Sequence, residues 1–137
     1  SDHAPHTKAE KNNSYLKAPS GGPLVQHSLL ALLSSVKRGK ISLEKLVQKA
    51  CHNPAILFEI NKRGYLREGY YADFVIVNLN TKTKVTKNSL LYKCEWSPFE
   101  GVTFDAKIEK TFVNGIKVYD NGVILKTDAG KQLTFNR

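Results

Sequence analysis

The 137-residue sequence predicts an α/β chain in two parts, helical up to about residue 62 and β-rich beyond it. Three observations carry that expectation. Apolar residues recur at helical spacing from Val25 onward, the continuous run Phe74 to Leu79 has the branched composition of a strand, and Asn114-Gly115 is the pair that most favours a tight hairpin. The limits that follow are residues 1–62 and 63–137.

The chain opens on "SDHAPHT", an aspartate and two histidines within seven residues. Residues 7–22, "TKAEKNNSYLKAPSGG", are polar, hold Asn, Ser, Pro and Gly, and show no sustained period, so they read as a long loop. Val25, Leu29, Leu32, Leu33 and Val36 then mark one face of a helix that stops near Gly39. A second helix is expected to start at Ser42, whose hydroxyl can accept from free amides, with Glu44 at the positive end of the dipole. "NPAILFEI" predicts a third short helix, with Asn53 as cap and Pro54 at the first position, where a missing N–H costs nothing. From Gly64 the pattern changes. "GYLREGYYADFVIVNL" places glycines ahead of a run that reads as a strand covered on both faces, and "KIEKTFVNGIKVYDNGVILK" predicts a three-stranded meander turning at Asn114-Gly115 and Asn121-Gly122.

The length suits one domain's worth of core, and 41% apolar residues with scattered charges give a globular composition. No apolar run has the length of a membrane span and no signal segment opens the chain, so the expectation is a cytoplasmic protein with no membrane partner. Cys51 and Cys94 are far apart and in no C-x-x-C pattern, which predicts reduced thiols and neither a zinc knuckle nor a redox pair. The formal charge of +9 alternates with apolar residues along the chain and forms no basic block. That distribution favours a solvated surface over a nucleic-acid partner.

The opening cluster has two readings at this level. It is a solvated tail, or it is chemistry: Asp2 offers an oxygen to zinc and a group that can move a proton, and His6 can ligate a metal or, when positive, hold a carboxylate. Asp2 and His3 are adjacent and tend to point apart, so the cluster makes no closed site alone. The other histidines, His27 and His52, read as ordinary helix or cap residues, and Trp96, Pro98 and Phe99 as a packing anchor.

Three stretches carry a family resemblance. "SDHAPHT" followed by a loop, "SGGP" and an amphipathic helix resembles the end of the eighth strand and the next loop and helix of dihydroorotases in the amidohydrolase superfamily. "NPAILFEI…GYLREGYYADFVIVNL" resembles that superfamily's return from barrel to small β-sandwich, and "KCEWSPFEG…FVNGIKVYDNG" the dihydroorotase form of it. The "ADFVIV" stretch is common to many amidohydrolases. The D-H-A-P-H run is sharper, because relatives acting on hydantoins and allantoin usually lack the second histidine.

The resemblance implies the C-terminal end of a (β/α)8 barrel over 1–62 and a β-sandwich portion over 63–137. It also implies a cyclic amidohydrolase that interconverts N-carbamoyl-L-aspartate and L-dihydroorotate with one or two zinc ions, whose remaining ligands lie outside this segment. Asp2 is implied as metal ligand and general base, taking a proton from the attacking hydroxide and delivering it to the leaving nitrogen. His6 is implied to hold the substrate carboxylate, Pro23 and Leu24 to present backbone groups to the ring, and His3 to support the site structurally. Leu24 stands where the family often has glycine. Such a barrel needs about 250 residues, so the chain is expected to begin in mid-protein and to be inactive alone. The small-molecule substrate is the expected partner, and a homodimer the candidate oligomer. Rival expectations are a silent dihydroorotase-like subunit scaffolding another pyrimidine enzyme, and a basic binding module.

Overall fold

The computed structural model describes residues 1–125 and 128–136. The first regular element, α1 (Lys8–Lys11), lies inside the stretch expected to be loop throughout. A reciprocal cap makes it: the Glu10 N–H donates to Thr7 Oγ at 3.3 Å and the Thr7 N–H to the Glu10 carboxylate at 2.7 Å. Four residues are too few to show a period. α2 (Ser28–Lys37) buries Leu30 and Leu33 and ends at Gly39, whose φ of +68° few other residues adopt. Val25, the first member of the expected stripe, lies ahead of the helix and is exposed.

α3 (Leu43–Val47) starts as its cap chemistry predicts, with the Lys45 N–H donating to Ser42 Oγ at 3.1 Å. The separate third helix capped by Asn53 does not form. Asn53 is itself helical, with φ −61° and ψ −42°, and the chain runs unbroken from α3 through a π-helical turn, Gln48–His52, into α4 (Asn53–Leu57). Pro54 is the physical reason. In a regular turn its ring meets the carbonyl of Ala50 and its missing N–H leaves that carbonyl unbonded, and one wider turn ahead of it lets the helix continue.

The strands are β1 (Phe74–Asn78), β2 (Thr83–Lys84), β3 (Thr103–Phe104), β4 (Lys107–Val113), β5 (Ile116–Asp120) and β6 (Val123–Ile124). Among the described residues β4, β5 and β6 form the expected meander. β1 adds antiparallel beside β4, giving the order β1-β4-β5-β6, while β2 and β3 pair separately. Both hairpin pairs carry the positive φ that a type I′ turn demands, 51° and 81° at Asn114-Gly115 and 46° and 102° at Asn121-Gly122. β1 is not covered on both faces: Val75 and Ile76 are each 41% exposed. Those neighbours point to opposite faces, so both faces are partly open: β1 is the edge strand of its antiparallel sheet, and a branched run does not distinguish an edge strand from a covered one.

The buried cluster crosses residue 62. Leu30, Leu33 and Leu46 from the helices meet Val85, Phe104 and Ala106 around β2 and β3, with Val77 of β1 and Ile108 of β4 against its edge. Each fully buried side chain of this kind contributes about 1.5–3 kcal/mol, so this seam fastens helices to strands. His52 adds a second joint, where its Nδ1–H donates to the Gly64 carbonyl at 2.6 Å and its ring stacks on Tyr65 at 4.2 Å.

His27 belongs to the core. It is buried among the rings of Tyr92, Phe99 and Phe104, with Nδ1 3.4 Å from the hydroxyls of Tyr92 and Ser97. Burial holds its pKa below the ordinary value. Once unfolded, the same ring takes a proton below about pH 6.5, so the stability tied to its neutral form is complete above that pH and is lost as pH falls. Denaturant midpoints at pH 7.5 and pH 5.5 check this: the acid loss should be smaller in His27→Gln than in the parent, and equal losses would assign the acid sensitivity to other groups.

Candidate functional site

The opening segment is hydrogen-bonded into the fold. His3 pairs with Gly22 in a parallel bridge, the Ala4 N–H donates to the Gly22 carbonyl at 3.0 Å, and the His6 N–H donates to the Ala4 carbonyl at 2.9 Å. Residues 2–6 therefore run alongside residues 21–24. Gly21 permits that approach: a Cβ there would stand 2.6 Å from the Ala4 Cβ, and its φ of +80° suits glycine.

The intervening loop is pinned at its own ends. Lys11 Nζ donates to the carbonyls of Pro19 at 2.6 Å and Gly21 at 3.0 Å, which draws α1 against the "SGGP" turn. His3 Nδ1 accepts the Leu24 N–H at 3.1 Å, so it carries no proton there and supports the turn, as a structural histidine does. Gln26 and Tyr92 then tie this turn to the chain that follows β2. The Gln26 N–H donates to the Tyr92 hydroxyl at 2.9 Å, its side-chain amide donates to the Ser89 carbonyl at 2.7 Å, and its carbonyl accepts the Leu91 N–H at 2.9 Å. A cavity of about 510 Å³ opens beside His3, lined by Pro5, Val25, Tyr92 and Cys94 among others.

Asp2 and His6 sit on one side of this arrangement. Asp2 is exposed, holds a left-handed φ of 47°, and among the described residues its carboxylate makes no hydrogen bond or ion pair. The His6 imidazole is half-buried and makes no hydrogen bond among the described residues. Hydrogen bonds from Thr7 hold the nearby Glu10 carboxyl below its usual range, and His6 adds a smaller electrostatic pull in the same direction. Pro23 is fully buried and Leu24 half-buried. Both backbone groups of Leu24 are engaged within the chain, the N–H by His3 and the carbonyl by the Ser28 hydroxyl at 2.8 Å and the amides of His27 and Ser28.

Among the described residues no three His, Cys, Asp or Glu side chains converge on one point. As a donor set, an unpaired carboxylate fits one ligand of a hard or borderline divalent ion and leaves the others to be supplied. Trp96 is the residue whose part was not apparent. Phe99 packs on Phe104 as a core anchor does, but the Trp96 Nε1–H donates to the His6 carbonyl at 2.7 Å, across ninety positions of sequence. An aromatic cluster after a strand carries no local sign of such a contact. No helix of the described residues is long and apolar enough to cross a membrane, and Cys51 and Cys94 are free thiols.

The chain is 37% identical over 129 residues to a dihydroorotase of Halobacterium salinarum, covering 93% of this chain and 30% of that protein. It is 38% identical over 120 residues to a dihydroorotase of Clostridioides difficile, covering 87% of this chain and 28% of that one. The chain thus spans under a third of the curated relatives it matches. Among solved structures it resembles the L-hydantoinase (dihydropyrimidinase) of Arthrobacter aurescens, with a TM-score of 0.76 and 34% identity over 81% of this chain and 25% of that one. A D-hydantoinase from a Thermus species shares the fold at a TM-score of 0.86 and 21% identity, over 93% of this chain and 29% of that one. The amidohydrolase family model matches residues 2–118, the span that holds Asp2, the pinned loop, the helices and the sheet through β4, and the chain belongs to the amidohydrolase family.

Proposed function

We propose that the protein is a dihydroorotase, a cyclic amidohydrolase that interconverts N-carbamoyl-L-aspartate and L-dihydroorotate in pyrimidine synthesis. One observation supports this above the others: residues 2–6 are fixed beside residues 21–24 while the Asp2 carboxylate and the His6 imidazole, alone in that segment, are left without hydrogen bonds among the described residues. Polar side chains kept unpaired on a braced backbone are what a ligand site requires. In the same reading, residues 1–62 close a (β/α)8 barrel, whose active site lies at the C-terminal ends of its strands, and residues 63–137 contribute to a β-sandwich. Two free thiols fit a reducing, cytosolic setting.

In this reading Asp2 would be a ligand of a zinc ion whose remaining ligands come from outside this segment. A bound ion supplies Lewis acidity, which polarises the amide carbonyl and brings the pKa of water to about 7. In hydrolysis Asp2 would accept the proton of the attacking water and return it to the ring nitrogen as the C–N bond breaks; in ring closure it would take the proton from that nitrogen as the C–N bond forms and pass it to the oxygen that leaves as water when the C–O bond breaks. His6, protonated, pairs with the substrate carboxylate. In the same reading Pro23 and Leu24 present backbone groups to the substrate ring, and those of Leu24, bonded within this chain, would have to exchange partners to do so.

The dihydroorotase names of the curated relatives and the histidine at position 6 favour dihydroorotate over a hydantoin. The silent-scaffold and basic-module alternatives gain nothing from these relatives. Assays of the complete protein with zinc test the choice: L-dihydroorotate should be turned over at least tenfold faster than hydantoin or dihydrouracil, with bound zinc in the preparation. The reverse order of substrates would move the protein to the hydantoinases, and no turnover of any of the three would sink the enzyme reading.

A further inference from the structure

Both backbone polar groups of His6 are held: its N–H donates to the Ala4 carbonyl at 2.9 Å and its carbonyl accepts the Trp96 indole N–H at 2.7 Å. The first bond lies within the opening segment and moves with it. The second is the hydrogen bond that ties His6 to the body of the fold. Trp96 is also placed against the neighbouring strand of the site, with its ring edge 3.8 Å from where a Cβ on Gly22 would stand. Its neighbour Ser97 is buried beside His27, so the indole is carried on a fixed part of the chain.

We propose that Trp96 is a positioning residue for substrate binding: by holding the His6 carbonyl it fixes the peptide from which the imidazole projects, and so sets where that ring meets the substrate carboxylate. The role rests on the proposed part of His6 in carboxylate binding. A backbone fixed at both polar groups has its φ and ψ set, which limits where Cβ can point. Residues 3 and 4 stay tied to Gly22, but without the indole bond the His6 peptide must be ordered at the moment of binding, and that cost appears in affinity. The chemistry at Asp2 does not pass through this contact, so kcat is affected little.

Trp96→Phe in the complete, zinc-loaded protein keeps the ring and removes the N–H. One net hydrogen bond corresponds to about a fivefold change, so KM for L-dihydroorotate should rise about fivefold with kcat within about twofold. The amides of His6 and Thr7 should exchange faster with solvent deuterium. In a His6→Ala background the same substitution should add little further to KM, because the group it positions is gone. An unchanged KM with unchanged exchange, or a full fivefold increment in the His6→Ala background, overturns the proposal. Should the parent not turn over L-dihydroorotate, the exchange measurement still decides whether Trp96 fixes the segment, and only the functional reading fails. Should Trp96→Phe not fold, a crystal structure of the complete protein decides: an Nε1 to carbonyl separation beyond about 3.5 Å leaves no hydrogen bond and ends the proposal.

Discussion

Asp2→Asn in the complete protein is expected to lower kcat for L-dihydroorotate by at least about 10²- to 10⁴-fold, the range that a positioned proton-transfer group contributes. The amide neither accepts the proton of the attacking water nor offers an anionic oxygen to zinc, so bound zinc should fall as well. The choice of asparagine matters because Asp2 holds a φ of 47°. Asn tolerates that left-handed backbone, whereas Ala adds roughly 1–2 kcal/mol of strain to the loss of chemistry. Asp2 is exposed and its carboxylate is unbonded among the described residues, so with metal removed from both proteins the Asn variant should melt with the parent, within about 0.5 kcal/mol, and any gap between them should appear only when zinc is added. Asp2→Ala should be equally inactive and slightly less stable. Turnover near the parent level in either variant, measured at full zinc occupancy, removes Asp2 from the role of general base.

What could be read ahead of the structure was local chemistry. The Ser42 cap and the Asn114-Gly115 turn each depend on one or two residues and their nearest backbone, and both form as expected. Two of the differences have one cause, a signal shared by two structures. "HNPA" reads equally as a cap before proline or as a wide turn ahead of one, and the chain takes the second, running from α3 through the π-helical turn Gln48–His52 into α4. A branched run fits an edge strand as well as a buried one, and β1 is the former. α1 depended on a capping box too short to carry a period. The candidate site was legible only through the D-H-A-P-H resemblance, since the residue types alone fitted a solvated tail. The bracing of that segment by Gly22, Lys11 and Trp96 depends on contacts ten to ninety residues apart, to which periodicity is blind.

The joint between helices and strands is the place where one methyl group should do the most damage. Gly64 follows the last helical turns with a φ of +81°, and a Cβ built on it would lie 2.5 Å from the Ala55 Cβ and 2.8 Å from the Cys51 carbonyl oxygen. Neither neighbour can swing aside, because one is a methyl fixed to the backbone of α4 and the other is backbone of the π-helical turn. Gly64→Ala therefore combines left-handed strain of about 1–2 kcal/mol with overpacking of about 1–3 kcal/mol, and should destabilise the complete protein by about 3 kcal/mol in denaturant unfolding. The His52 bond to the Gly64 carbonyl should weaken with it. Gly39→Ala is the control, for its φ is +68° but nothing stands within 4 Å of the added atom, so only the left-handed strain, about 1–2 kcal/mol, should appear. Ala55→Gly combined with Gly64→Ala separates the two contacts: it removes the closer methyl but leaves the Cys51 carbonyl in place, so recovery should be partial. Equal losses for Gly64→Ala and Gly39→Ala would mean that the helix yields at the π-helical turn, and that the joint is set by backbone conformation rather than by close packing.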